Sequence, residues 1–277
     1  MKQLKILILF LGICASILAQ DKPPVTSESQ KAESVKKAEQ ILRQAKDAVS
    51  KKTKIANVKS FSFITKSSQQ LSFAERKIEG MVEEEFNLIL PDKIRHKSSG
   101  NYSTNQSEIM EILNGEKFSL KIDTFVDGKI VNTDFGAVIG KKNRISDLKR
   151  ETFLLVFPIT LDASWYVPLE FNYVGIAESK DGKAEIIEAV SPGKTKYRLF
   201  FDTETHLLLL MTQSWTGKDN KQNETKYFFS NYQEKDGLLI ATKIITERND
   251  EVVEEKEIKD LKVNPTFKPA WFDIKEK

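Results

Sequence analysis

The chain has 277 residues, with 43 Lys and Arg against 40 Asp and Glu, two His and one Cys. A net charge of +3 gives no electrostatic reason to expect a nucleic acid partner. Cys14 lies inside an N-terminal apolar stretch, so the rest of the chain offers no disulfide, no thiolate metal site and no cysteine nucleophile.

Lys2 and Lys5 precede an uncharged run from Ile6 to Ala19, and Asp21-Lys22-Pro23-Pro24 then breaks the pattern. That layout predicts a cleavable signal peptide over residues 1–19 and a protein that works outside the cytoplasm. At about 1.5 Å per residue the run is too short for a hydrocarbon core of about 30 Å. Ile13 precedes Cys14 where lipoprotein processing needs a small residue, so no lipid anchor is expected. Residues 20–30 read as a flexible polar lead-in, and residues 31–277 as a single domain.

Val35, Ala38, Leu42, Ala45 and Val49 recur at spacings of three and four, which predicts an amphipathic helix over about 29–51. From about Asn57 the period becomes two. Lys77 to Leu90 reads as a long strand with a bulge at Gly80, followed by strands near 94–98, 108–113 and 117–123. Asn114-Gly115 marks a hairpin and Asp127-Gly128 another turn. Residues 146–157 read as a second helix, capped by Ser146 and ended by Pro158, with Phe153-Leu154-Leu155-Val156-Phe157 apolar on every side and therefore buried. Strands return near 171–177, 184–190, 195–202, 206–215, 224–232, 238–247 and 251–262. Turns fall between them at Asp181-Gly182, Pro192-Gly193, Asp202-Thr203, Gly217-Lys218-Asp219, Asp236-Gly237 and Asn249-Asp250. The expected fold is mainly β, a curved antiparallel sheet of about ten or more strands wrapped around the two helices.

Catalytic and metal signatures are missing. His96 and His206 stand far apart in no zinc-ligand spacing, no G-x-S-x-G elbow is present, and Gly140-Lys141-Lys142 lacks the glycines of a phosphate loop. Glu83-Glu84-Glu85 reads as the solvated side of a strand, with Glu84 opposite its neighbours. No cofactor, metal or enzymatic activity is expected. Leu207 to Met211 are five large apolar residues in one strand, and Phe200-Phe201 pose the same problem, so both sheet faces need cover. Strict alternation puts Leu207, Leu209 and Met211 on one face. A cavity lined by such residues suits an acyl chain, and Phe153, Leu154 and Phe157 on the helix with Leu209 and Met211 on the sheet are the expected binding residues.

Leu90-Pro91-Asp92-Lys93-Ile94-Arg95, Asn114-Gly115, the Leu/Phe helix, the run from Tyr197 to Thr205, Asp236-Gly237-Leu238 through Ile244, and Val263-Asn264-Pro265 occur in an order that resembles the outer-membrane lipoprotein-sorting family, the LolA/LolB-like superfamily of periplasmic carriers. The resemblance spans about residues 33–272. Ala241 stands where the family often has Pro. The resemblance implies an unclosed antiparallel half-barrel wrapped around an N-terminal helix and a helical plug. It also implies a lipid or acylated lipoprotein as partner, with contacts to envelope membrane proteins, and a bacterial periplasmic location. The alternative is a non-catalytic envelope interaction module with a filled barrel.

Overall fold

A computed structural model describes residues 28–274 apart from 74–75, 103–104, 127–128, 133–140, 165, 181, 193–194 and 217–221. The expected signal peptide and most of the lead-in therefore lie outside the described residues. So do Asp127-Gly128 and Gly217-Lys218-Asp219. The chain forms α1 (Glu28–Val49), then β1 (Ser60–Phe73), β2 (Arg76–Ile89), β3 (Lys93–Tyr102), β4 (Asn105–Asn114), β5 (Lys117–Val126) and β6 (Lys129–Asn132). After α2 (Lys141–Thr160) come β7 (Glu170–Ser179), β8 (Gly182–Val190), β9 (Lys196–Asp202), β10 (Leu208–Thr216), β11 (Gln222–Lys235), β12 (Leu238–Arg248) and β13 (Glu251–Val263). All thirteen join one antiparallel sheet in the order β6-β5-β4-β3-β2-β1-β13-β12-β11-β10-β9-β8-β7. A twisted sheet of that width curls, and with β6 and β7 left as its two edges it is an unclosed half-barrel.

Period-two patterning produced most of this. Asp236-Gly237 and Asn249-Asp250 take positive φ at both residues, the geometry of two-residue hairpins that match strand twist. Asn114-Gly115 turns as expected, with Asn114 facing Lys117 across the ladder. Gly80, by contrast, pairs in unbroken register with Gln69 and with Tyr102, so the expected bulge there is absent. The register shifts fall elsewhere, between Ser62 and Ile64, Tyr173 and Gly175, Leu208 and Leu210, and Thr246 and Glu247.

Both helices lie against the inner face. Ala38, Ile41, Ala45 and Val49 of α1 are buried, and Ser34 Oγ donates to the carbonyl of Tyr173 on edge strand β7. The helix starts at Glu28, so the last residues of the expected lead-in are already helical. Helix α2 is longer than expected at both ends. Ser146 sits inside it rather than capping it. Pro158 removes one backbone donor without stopping the last turn, which Leu161 N closes on Phe157 O at 2.7 Å. The core between helices and sheet holds Phe61, Phe63, Phe86, Phe153, Phe157, Phe201 and Phe229, each less than 2% exposed. Each such side chain contributes roughly 1.5–3 kcal/mol of burial.

Candidate functional site

The bulge in β10 decides which of its apolar residues face inward. Leu208 pairs with Phe201, Leu210 with Phe200, and Met211 with Leu199, so Leu209 is the extra residue. Strict alternation therefore fails: Leu208 and Met211 share the inner face, at 2% and 0% exposure, and Leu209 is half-buried at the kink. The Tyr232 hydroxyl donates to the Leu208 carbonyl at 2.5 Å, beside the interrupted ladder. On the outer face Ile186, Phe200, Leu210, Phe228 and Ile245 follow one another across β8 to β12. The two-sided problem is met there by cross-strand neighbours shielding one another.

A cavity of about 580 Å³ opens between α2 and the inner face, within the range of about 300–1,000 Å³ common for small-molecule sites. Its apolar wall includes Phe86, Leu154, Leu155, Tyr227 and Ile244; Gln69, Gln213, Thr225 and Thr246 add neutral polar groups. Leu154 thus stands on the cavity wall. Phe153 and Phe157 are packed in the core instead, their rings 5.0 Å apart and Phe153 stacked on Tyr166 at 4.8 Å. Met211 is likewise core. A second cleft of about 1010 Å³ lies at the C-terminal ends of α1 and α2, lined by Arg43, Lys46, Lys51, Lys52 and Lys54 among others. It borders the inner face rather than lying across it.

One side of the first cavity is charged, which the expectation of a purely hydrophobic pocket did not include. Glu84, between inward-facing Val82 and Phe86, points inward and not into solvent; its neighbours Glu83 and Glu85 pair outside with Lys66 (2.6 Å) and Arg95 (3.0 Å). Glu84 Oε2 accepts from Lys256 Nζ at 2.8 Å and from the Thr65 hydroxyl at 3.0 Å. On the next strand His96 holds Glu111 Oε2 at Nδ1 (3.0 Å) and lies 3.3 Å from Glu84 Oε1 at Nε2, outside hydrogen-bond alignment. Arg144 of α2 clamps Glu111 through Nε at 2.5 Å and through Nη2, and reaches Glu151 at 3.2 Å. The row Lys256, Glu84, His96, Glu111, Arg144 crosses the inner face from β13 to β4 and up to α2.

Burial opposes charge in every one of these groups, and their pairing outweighs it. His96 is pushed up to about 9 by Glu111 and Glu84 against the effect of burial, so the imidazolium is the resident form. Burial also works against Glu84, but Lys256 and His96 hold it well below the usual carboxylate range. Glu111 is lowered by His96 and Arg144 despite its burial. Of the three carboxylates Glu151 is the one raised, because burial outweighs its contact with Arg144. Among the described residues no cluster of His, Cys, Asp and Glu has the makings of a metal site.

Period two could have revealed these residues. Glu84 shares parity with Phe86, His96 with Ile94, and Glu111 with Leu113, all buried. Tyr227 carries the same signal through the buried Thr225 and Phe229; Arg150, on a helix, and Arg248, past the register shift that follows Thr246, do not.

An open antiparallel half-barrel with a helix seated across its inner face, and a cavity beneath that helix, is the class of protein this architecture defines. It is the fold seen in the LolA superfamily: a LolA superfamily protein from Nitrosomonas europaea superposes with a TM-score of 0.50 at 10% identity, over 86% of this chain and 97% of that one. A domain from Vibrio parahaemolyticus assigned to outer-membrane lipoprotein sorting matches at a TM-score of 0.46, 11% identity, and the same two coverages. A DUF1329 family protein from Desulfovibrio piger matches at 0.46 and 12%, covering 87% of this chain and 97% of its own. No protein-family model matches the chain, and no curated protein does.

Proposed function

We propose that this protein carries a lipid, or the acyl chains of a lipoprotein, in the cavity between α2 and the inner face of the sheet. The observation that carries the reading is the cavity itself: about 580 Å³, walled by Phe86, Leu154, Leu155, Tyr227 and Ile244 and roofed by a helix. A filled barrel, the mark of a purely structural module, has no such space. Each methylene buried contributes about 0.8 kcal/mol, so a modest apolar wall retains an acyl chain. The shared fold with a LolA superfamily protein and the signal-peptide pattern of residues 1–19 fit a soluble carrier in a bacterial periplasm, handing cargo to envelope membrane proteins.

The test is native mass spectrometry of protein isolated from the envelope fraction, with lipid extraction, beside displacement of a fluorescent fatty-acid probe. The expected result is co-purified lipid and probe binding in the wild type, both lost when Leu154→Trp fills the cavity at an unchanged denaturation midpoint. A wild type that yields no lipid and binds no probe overturns the reading.

A catalytic reading draws on one observation: Glu84 is held ionised and Glu151 is raised, and both line the cavity. Split titration of two carboxylates is the pattern of an acid–base pair. Each is committed to a cation, however, Glu84 to Lys256 and Glu151 to Arg144, which favours a structural part for both. Hydrolysis of an ester or glycoside abolished by Glu151→Gln at unchanged stability would reverse that preference.

A further inference from the structure

The cavity wall carries three carboxylates, Glu84, Glu151 and Glu254, and three cations, Arg150, Arg248 and Lys256, but they are not paired one to one. Its three carboxylates are matched inside the protein. Glu84 meets Lys256 and Thr65, Glu254 meets Gln69 at 2.9 Å and Lys256 at 3.4 Å, and Glu151 meets Arg144. Lys256 is used up in those pairs. Two cations on the same wall are not. Arg150 of α2 has one carboxylate contact, to Asp147 on its own helix at 3.1 Å, with both side chains nearly half exposed, and such a pair is weak. Arg248, the last residue of β12, has no carboxylate partner among the described residues. The Tyr227 hydroxyl stands in the field of both guanidiniums and has no hydrogen-bond partner among the described residues.

We infer that the cavity takes an amphiphile with an anionic head, carboxylate or phosphate. Arg150, Arg248 and the Tyr227 hydroxyl receive the head, and the chain lies along Phe86, Leu154, Leu155 and Ile244. The inference rests on the carrier reading above and names its ligand class. A guanidinium offers paired donors that match the two oxygens of a carboxylate or phosphate, and a phenol adds a third donor without adding charge. Glu84, Glu151 and Glu254 stay committed to their own partners, so they do not compete for Arg150 and Arg248. A cationic head would meet the unpaired Arg248 and an Arg150 held only by a weak, exposed pair. A neutral head would leave Arg248 without an anion and Arg150 with its exposed pair to Asp147 alone.

Competition titrations with one chain length and four heads test this: a fatty acid, a lysophosphatidic acid, a monoacylglycerol and an alkylamine. The expected result is that at least one anionic ligand binds about tenfold or more tightly than the monoacylglycerol, the difference a charged hydrogen bond typically makes. Arg150→Gln with Arg248→Gln should remove that difference at an unchanged denaturation midpoint, and Arg150→Lys with Arg248→Lys should restore part of it. The tighter of the two anionic ligands identifies the head as carboxylate or phosphate. Equal binding of all four heads, preference for the amine, or an anionic preference that survives the double Gln variant overturns this inference and leaves the carrier reading standing. Binding of none of the four overturns the carrier reading itself.

Discussion

His96 is where stability and charge meet most directly. It faces Glu84 on β2 and Glu111 on β4, with Lys256 of β13 beyond Glu84, and Arg144 and Glu151 of α2 beyond Glu111. Its folded value of about 9 lies above the ordinary 6.5, so the imidazolium stabilises the fold fully below pH 6.5 and stops doing so as pH rises through 9. Glu84 and Glu111 are shifted down, so their contribution is present above 4.5 and fades as pH falls. Stability should therefore peak between about pH 4.5 and 6.5 and decline by roughly 3 kcal/mol toward pH 9 and above. Urea midpoints at pH 6, 7.5 and 9 measure this, and His96→Gln should flatten the alkaline limb. A wild-type midpoint constant from pH 6 to 9 would refute it. The sequence contained the parity of Glu84, His96 and Glu111 but not their convergence, which depends on three strands adopting one register. Arg150 and Arg248 were invisible for a similar reason, since nothing local marks an exposed arginine as facing a cavity.

Among the elements, strands were far more legible than helix ends. Turns such as Asn114-Gly115, Asp236-Gly237 and Asn249-Asp250 punctuate runs whose period is two, and these signals are local. Helix α2 overrode its own stop and start signals. Tertiary contacts of Arg144 hold its first turns, and burial of Ile159 and Thr160 carries it past Pro158. The β10 bulge was equally hidden, because five consecutive apolar residues conceal where parity breaks. It has a measurable signature: Leu208→Ala should cost about 2–5 kcal/mol and Leu209→Ala less than about 1, whereas unbroken alternation with Met211 requires the reverse order. The β11–β12 hairpin offers a second test. The Gly237 carbonyl accepts the backbone N–H groups of Lys51, Lys52 and Thr53 just after α1, and a Cβ on Gly237 would lie 2.8 Å from Thr53 Oγ1 and 2.9 Å from Thr53 N at a φ of +80°. Gly115, at φ +63°, has room, its nearest neighbour being Asp92 Oδ2 at 3.6 Å. Gly237→Ala should cost more than Gly115→Ala, by about 1 kcal/mol or more in thermal or urea unfolding. Equal losses would mean the α1 junction yields to the added methyl.

At the scale of the whole molecule the sheet is two meanders, β1 to β6 and β7 to β13, joined along one line where β1 pairs with β13. That line lies in the interior of the sheet and not at an edge. Phe61 of the first strand meets Val263 of the last, and Ile258 and Leu261 beside it are buried. A chain shortened after Arg248 should lose cooperative unfolding altogether, as seen by calorimetry, whereas deleting the short edge strand β6 should leave a single transition at a somewhat lower midpoint. A sharp, native-like transition in the chain ending at Arg248 would contradict this. The arrangement also sets an order of events in time. Hairpins within each meander need only local search, but the joining of β1 to β13 must wait until the distant end of the chain is present and found, a slow step because loop closure comes before any reward. A nascent chain still short of residue 251 exposes two unpaired strand flanks, on β1 and on β12, and its folding clock starts only when the final strand arrives.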